Sequence, residues 1–166
     1  MTVALASTLV VQKTVALLSR DSGLPSTAPE IALMSGVMLP TITARQIVAQ
    51  NVSADIVAQS SSPPYPVFYV FCERLSNPQR EKFRVFSGEV SVAVEARVSQ
   101  DRLEGLEDQL HGCVDAVTQA LDENRGDWSD GVFYSGGYDV AYNAVKHGGR
   151  NFLQTARVTF TVAVSR

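Results

Sequence analysis

Apolar and polar residues alternate along the stretch from Val90 to Ser99. Every second position is apolar, and the intervening positions include Glu95 and Arg97. Because successive side chains of a β-strand point to opposite faces of a sheet, this period of two predicts a strand with one buried face. We expect Glu95 and Arg97 to lie on its outer face, in contact with a neighbouring subunit. The closing segment 152–165 repeats the pattern through Val158, Phe160, Val162 and Val164.

A helical period follows the first of these strands. Asp101 and Glu104 form the pattern of a capping box, which predicts a helix over residues 102–123. Its apolar face is made by Leu103, Leu106, Leu110, Val114, Val117 and Leu121. Its opposite face is acidic and carries Glu104, Glu107, Asp108, Asp115 and Asp122.

The first sixty residues predict two helices separated by an irregular segment. Residues 3–20 form the first helix, with Gly23 as its stop signal. Residues 24–43 contain three prolines and show no clear period, which is typical of an irregular connection or extended arm. Residues 44–59 predict the second helix from the four-residue spacing of Val48, Val52 and Ile56.

The rest of the chain completes a sheet. Aromatic and β-branched residues at 67–72 predict a buried strand, and residues 73–82 predict a polar connection. Residues 132–142 predict a further strand, and Lys146 to Arg150 predict the tip of a hairpin that returns through the closing segment. We therefore predict an α+β fold with a mainly antiparallel four-stranded sheet and helices packed on one face. Residues 44–166 form this core, and residues 1–43 form an N-terminal helical arm.

Length and composition limit the possible classes of function. A chain of 166 residues suits one domain with an extension. The formal net charge of −3 argues against a protein that coats nucleic acid through broad phosphate neutralisation. The apolar N-terminus is interrupted by Gln12 and Lys13, so we expect no membrane span. Cys72 and Cys113 lie among apolar neighbours, which favours buried free thiols in a reducing cytoplasm.

Few residues suggest chemistry. The run from His147 to Arg150 fits an anion-binding turn, but a hairpin that needs glycine explains it as well, and we favour the hairpin. Asp127 and Asp130 fit an acid/base pair, although such residues are ordinary in turns, which we favour. Zinc would draw on Cys72, His111, Cys113 and His147, whose spacing matches no common zinc motif. We expect no enzymatic activity, metal or cofactor.

Charge is segregated along the sequence. The acidic helix face, with Glu107 and Asp108, contrasts with a basic group around the polar connection that comprises Arg74, Arg80, Lys82 and Arg84. One interpretation is that identical subunits pack head to tail through these two surfaces. The other is that both surfaces are solvated, which is the usual state of charged runs.

Four segments together resemble a known family. They are YPVFYVF, EKFRVFSGEVSVAVEARVS, GDWSDGVFYSGGYDV and KHGGRNFLQTARVTFTVAVS. In this order they resemble the neck and tail-completion, or tail terminator, proteins of tailed bacteriophages, particularly those with contractile tails. The resemblance covers approximately Ala44 to Ser165 and includes no catalytic signature. It leaves out the residues before Ala44, which we expect to contact a neighbouring neck or sheath protein.

The resemblance implies a structural virion protein, assembled in the host bacterial cytoplasm. Such proteins form a ring, here of six subunits, at the head-proximal end of the tail, where they terminate the tail tube and join it to the head. The implied partners are the tail tube, sheath and head–tail connector proteins. Genome DNA passes through the lumen without sequence-specific binding. We expect Arg74 to Arg84 and the hairpin residues Lys146 and Arg150 to contact neighbouring rings.

Two alternatives remain at this point. One is a head–tail connector or stopper protein of the neck, one layer closer to the portal. The other belongs to a different class, a small α+β ligand-binding domain or enzyme that uses Asp127, His147 and Arg150. This last hypothesis requires a concave pocket that gathers the three side chains.

Overall fold

A computed structural model describes residues 5–60, 63–78, 83–148 and 150–166. Four α-helices lie in the described residues: α1 (Ala6–Ser19), α2 (Leu24–Ser35), α3 (Ala54–Ser60) and α4 (Leu106–Asp122). The described strands are β1 (Ile47–Val48), β2 (Val67–Ser76), β3 (Ser87–Gln100), β4 (Gly126–Asp127), β5 (Val132–Tyr134), β6 (Asp139–Tyr142), β7 (Lys146–Gly148) and β8 (Asn151–Ser165). The fold is α+β, as the sequence predicts.

Two long antiparallel strands form the middle of one curled sheet. Strand β3 pairs with β8 along its whole length, from Ser87 opposite Ser165 to Gln100 opposite Phe152. Strand β2 pairs antiparallel with the other edge of β3, and β1 pairs parallel with β2. The free edge of β8 is shared by three short strands, β5, β6 and β7.

The prediction of a four-stranded antiparallel sheet is wrong. The described sheet has eight strands of mixed orientation. The single strand predicted over 132–142 is divided into β5 and β6, because Gly136 and Gly137 adopt positive φ angles that interrupt an extended chain. The parallel strand β1 arises from a segment in which the sequence predicts a helix.

The main core lies between α1, α2, α4 and one face of the sheet, which we call the helix face. Alternate strand residues such as Val94, Val158 and Phe160 are buried there against Leu110 and Val117 of α4. Burying one such side chain contributes roughly 1.5–3 kcal/mol. The opposite face, the second face, is covered near β2 by residues 48–57 and Tyr65.

The N-terminal residues belong to the same core. The first predicted helix is confirmed as α1, which buries Val10 and Leu18. The prediction that residues 24–43 are irregular is wrong for Leu24–Ser35, which form α2. Pro25 lies in the first turn of α2, where proline is tolerated. Gly36, with a φ of 74°, caps the helix after its last residue, Ser35. Leu24 and Ala28 of α2 are buried in the cluster that contains the sheet strands.

The helix predicted over residues 44–59 is also wrong. A short 3₁₀ turn at Ala44–Gln46 leads into β1, and only residues 54–60 are helical. The Gln46 side chain fixes this bend, since its Nε2 donates to the carbonyl oxygen of Pro66 over 2.9 Å. Val48 and Val52 pack against the second face of β2 instead of lining one side of a helix.

Helix α4 starts four residues later than its sequence pattern predicts. Its N-cap is Gly105, with a φ of 79° and no side-chain capping bond, so the capping box predicted from Asp101 and Glu104 is wrong. The Gln100 amide holds the preceding turn instead, donating to the carbonyl oxygens of Arg102 at 2.8 Å and Glu104 at 2.6 Å. Leu103 therefore lies outside the helix and is exposed.

Candidate interaction surfaces

The described basic residues of the polar connection lie at the end of the sheet where β3 begins. Arg74, on β2, lies opposite Ser91 of β3, and Arg84 precedes β3 by three residues. Both side chains are exposed. Strand β2 continues to Ser76, so Arg74 lies in a strand rather than in the predicted connection. The predicted interface residues Arg80 and Lys82 lie outside the described residues.

An apolar groove opens at the same end of the sheet. It has a volume of about 590 Å³ and is lined by Leu5, Ala6, Ser7, Leu75, Val85, Phe86 and Arg166. Leu75 lies opposite Val90 on β3, whereas Arg74 lies opposite Ser91, so the Arg74 side chain points to the face of the sheet away from the groove. Val85 is 84% exposed, although its backbone N–H donates to the carbonyl oxygen of Arg166 over 2.6 Å. We call this end of the sheet, which carries the exposed Arg74 and Arg84, the basic end.

The predicted acidic residues lie at the opposite end of the molecule. Glu107 and Asp108 occupy the exposed first turn of α4, which follows the last residues of β3. Carboxylates are favourable there because the N-terminus of a helix carries partial positive charge. Beside them, the chain after α2 passes over α4, and Met38 shares a groove of about 360 Å³ with Asp108.

Exposed apolar residues accompany these carboxylates. Met38 is 92% exposed and Leu103 is 58% exposed, and Leu33 and Met34 are exposed at the end of α2. The charged residues around Leu103 are Asp101, Arg102, Glu104, Glu107 and Asp108, so carboxylates outnumber the single guanidinium. We call this surface, centred on Leu103 and Met38, the acidic end.

The two ends cannot meet within one subunit. Strand β3 spans 14 residues between them, which at the usual rise of a strand is about 43 Å. Sequence analysis found the charges of both ends but missed their apolar residues. The available signal was the isolated apolar residues in otherwise polar connections, namely Phe83 and Val85 at one end and Leu103 at the other.

The hairpin predicted at Lys146 to Arg150 is confirmed by the pairing of Gly148 with Asn151. Lys146 and Arg150 are both exposed at its tip. The Lys146 ammonium also forms an ion pair with Asp55 of α3 at 2.9 Å. Because both partners are largely exposed, this pair contributes about 0–1 kcal/mol. It ties α3 to the edge of the sheet.

The expectation that Glu95 and Arg97 lie on an exposed outer face is wrong. Residues around Val52 cover this part of the second face, so that Glu95 and Arg97 are buried. Arg97 Nε is 2.8 Å from Glu95 Oε1, and another nitrogen of Arg97 donates to the carbonyl oxygen of Val52. The Arg97 guanidinium also lies over the ring of Tyr69, 4.0 Å from its centroid.

Arg157 extends this buried pair to the surface. Its Nη2 is 2.9 Å from Glu95 Oε2, and its Nη1 is 2.9 Å from Glu73 Oε1. The hydrogen bond to Glu95 is the main reason why the pKa of Arg157 is raised. The sequence contained these four charges at alternating strand positions but no indication that an irregular segment covers them. Through the hydrogen bond from Arg97 to Val52, this cluster fastens the segment around Val52 to the sheet.

The residues of the enzyme hypothesis do not share a site. His147 pairs with Phe152 on β8. Asp127 pairs with Phe133 on β5, and Phe133 in turn pairs with Ala163 on β8. Eleven residues of β8 separate these positions, or about 36 Å at the usual rise of a strand. The concave pocket that this hypothesis requires is therefore not formed by these three side chains.

The aspartates near Trp128 have structural roles. Asp127 accepts a hydrogen bond from the Ser129 N–H at 2.8 Å, and Asp130 pairs with Lys13 at 2.9 Å. The Lys13 hydrogen bond lowers the pKa of Asp130. Lys13 also donates to the carbonyl oxygen of Trp128 at 2.7 Å. These contacts join α1 to the turn after β4.

The cysteines and histidines do not form a metal cluster in the described part of the chain, where no three His, Cys, Asp or Glu residues gather. Both cysteines are free. Burial raises the pKa of the Cys113 thiol to about 12 and also raises that of the half-buried Cys72.

Comparisons with known proteins assign no family. No protein-family model matches the chain, and no curated protein matches it. Among the residues that the structure describes, no helix is long and apolar enough to cross a membrane.

Proposed function

We propose that this chain is a structural virion protein that forms a ring of six subunits at the head-proximal end of a phage tail. The ring terminates the tail tube and joins it to the head or neck, and genome DNA passes through its lumen. The proposal begins from the resemblance to tail terminator proteins. The segments that carry this resemblance contribute the strands β2, β3 and β8 that make up the middle of the sheet.

The observation that carries the proposal is the opposite character of the two ends of the subunit. The basic end carries Arg74 and Arg84, and the acidic end carries Glu107 and Asp108. A contact between two different surfaces of identical subunits is heterologous, and it generates a closed ring when the rotation between neighbours divides a full turn. Opposite charges at the two surfaces also favour this contact over the pairing of like ends.

The first experiment measures assembly. Sedimentation and electron microscopy of the purified protein are expected to show rings with about six times the mass of the 17.9 kDa chain. The variant Glu107→Lys/Asp108→Lys is expected to weaken the ring most at low salt, because screening reduces charge interactions. The control Asp21→Lys/Asp139→Lys makes the same change in net charge at exposed positions outside the acidic face of α4. A monomer at every concentration would overturn the proposal.

A second experiment separates the two neck positions. Cross-linking in purified virions is expected to connect this chain to tail-tube or sheath protein. Cross-links only to the portal or an adaptor would instead support the connector alternative. Absence of the chain from purified virions would contradict both.

A further inference from the structure

Residues 49–57, which we call the strap, cover part of the second face after the pairing of β1 with β2 has ended at Val48. Val52 and Val57 of the strap are only half-buried against this face. The buried residues beneath them form a cluster separate from the main core, and they are Val67, Tyr69, Phe71 and Ala93. A small satellite cluster of this kind separates at a lower free energy than the main core does.

The ion pairs beneath the strap do not depend on it. The Glu95 carboxylate binds Arg97 and Arg157, and all three residues lie on the neighbouring strands β3 and β8. The strap contributes the carbonyl oxygen of Val52, which accepts a hydrogen bond from Arg97. Movement of the strap away from the sheet breaks this hydrogen bond but separates none of these ion pairs.

The Arg97 guanidinium favours such a movement. Its Nη1 is buried and has no hydrogen-bond partner among the described residues. A buried donor without a partner has lost the hydrogen bonds that it makes in water, so it raises the free energy of the closed form. Opening lets water reach this nitrogen, which offsets part of the apolar contact that Val52 and Val57 lose.

We propose that the strap opens from the second face as a unit while the sheet and the main core stay folded. The ion pair between Asp55 and Lys146 resists this opening only weakly, because both side chains are largely exposed. The open form exposes Tyr69, Phe71 and the Arg97 guanidinium, all of which are buried in the closed form. The subunit therefore has two forms that differ in the surface presented on this side. This inference goes beyond the proposed ring and does not depend on it.

Hydrogen exchange measured by mass spectrometry tests the opening in the wild-type chain. The N–H groups of Ile56 and Val57 donate to the carbonyl oxygen of Ser53. Because α3 has only seven residues and such a short helix is unstable alone in water, these bonds are lost when the strap leaves the sheet. Peptides from the strap are expected to exchange at least about a hundredfold faster than those from the centre of α4.

Low urea separates local opening from global unfolding. Exchange in the strap should change little with urea, whereas exchange in α4 should rise steeply, because the effect of urea scales with the surface that is exposed. Equal exchange in the two regions with equal dependence on urea would overturn the proposal.

Two matched substitutions locate the opening. Val52 and Val140 are both half-buried, but Val140 lies on β6 and packs against the main core. Val52→Ala is expected to raise exchange in the strap about three- to tenfold, because its apolar contact exists only in the closed form. Val140→Ala is expected to raise exchange in α4 and to leave that of the strap unchanged, since the main core is folded in both forms. An equal rise in strap exchange for both variants would show that the strap opens only with the whole subunit.

Discussion

The buried ion cluster on the second face makes a sharp prediction about stability. Arg97 and Arg157 both bind Glu95, but the Arg97 side chain is 3% exposed and the Arg157 side chain is 42% exposed. We expect Arg97→Ala to destabilise the fold much more than Arg157→Ala, although each substitution removes one guanidinium from the same carboxylate.

The magnitudes follow from burial. Breaking a buried ion pair costs about 3–5 kcal/mol, and we expect the lower value for Arg97→Ala because Glu95 keeps Arg157 as a partner. Arg157→Ala is expected to cost about 1 kcal/mol or less, because solvent screens an exposed pair. The double variant Glu95→Leu/Arg97→Met is expected to be nearly neutral, since apolar side chains of similar size avoid desolvating two charges.

Urea unfolding measures these differences. Trp128 is the only tryptophan in the chain and packs near Tyr134 and Phe160, so its fluorescence reports on the main core. With a urea m-value of roughly 2 kcal/mol/M, the two single variants should differ in midpoint by about 1 M. All samples need the same protein concentration, because assembly adds to apparent stability.

Equal losses for the two arginines would refute this reasoning. So would a loss below about 1 kcal/mol for Arg97→Ala, because Arg97 would then contribute no more than an exposed surface charge.

Three further predictions concern other parts of the molecule. Gly88→Ala should destabilise more than Gly36→Ala in urea unfolding, because a Cβ on Gly88 meets the Ser76 carbonyl oxygen at 1.9 Å, whereas a Cβ on Gly36 has open space and costs only the strain of a φ of 74°; equal losses would contradict this. Cys113 should resist a thiol reagent at pH 8 until the protein unfolds, because its raised pKa of about 12 leaves almost no thiolate; native reaction of both thiols at similar rates would contradict this. Asp130→Asn should lower stability at pH 7. Since the folded-state pKa of Asp130 is depressed, the difference should disappear as the pH falls from about 4 through that pKa; a pH-independent difference in chemical denaturation would contradict this.

Regular patterns were predicted well from sequence. The alternation at Val90–Val98 fixed strand β3, because a period of two matches the geometry of a half-buried strand. The repeated apolar positions from Leu106 to Leu121 located α4 for a similar reason. The error over residues 44–59 came from a spacing of four residues, which fits both a helical period and the period of two of a strand. Val48, Val52 and Ile56 are four residues apart, yet the chain there bends from β1 into a short helix.

The candidate surfaces were predicted in part. The charges of Arg74, Arg84, Glu107 and Asp108 were found because charged side chains on exposed faces are visible in the sequence. The burial of Glu95 and Arg97 was missed, because it depends on residues about 45 positions earlier in the chain. No local pattern records that contact.

The sequence by itself determined the α+β class, the two long strands and the opposite charges of the two surfaces, since periodicity and residue type act over a few neighbouring residues. Only the tertiary structure decided that β3 holds these surfaces at its opposite ends, that Leu103 and Val85 are exposed beside them, and that Arg97 is buried. These properties arise from contacts between segments distant in sequence, which depend on the packing of the whole chain.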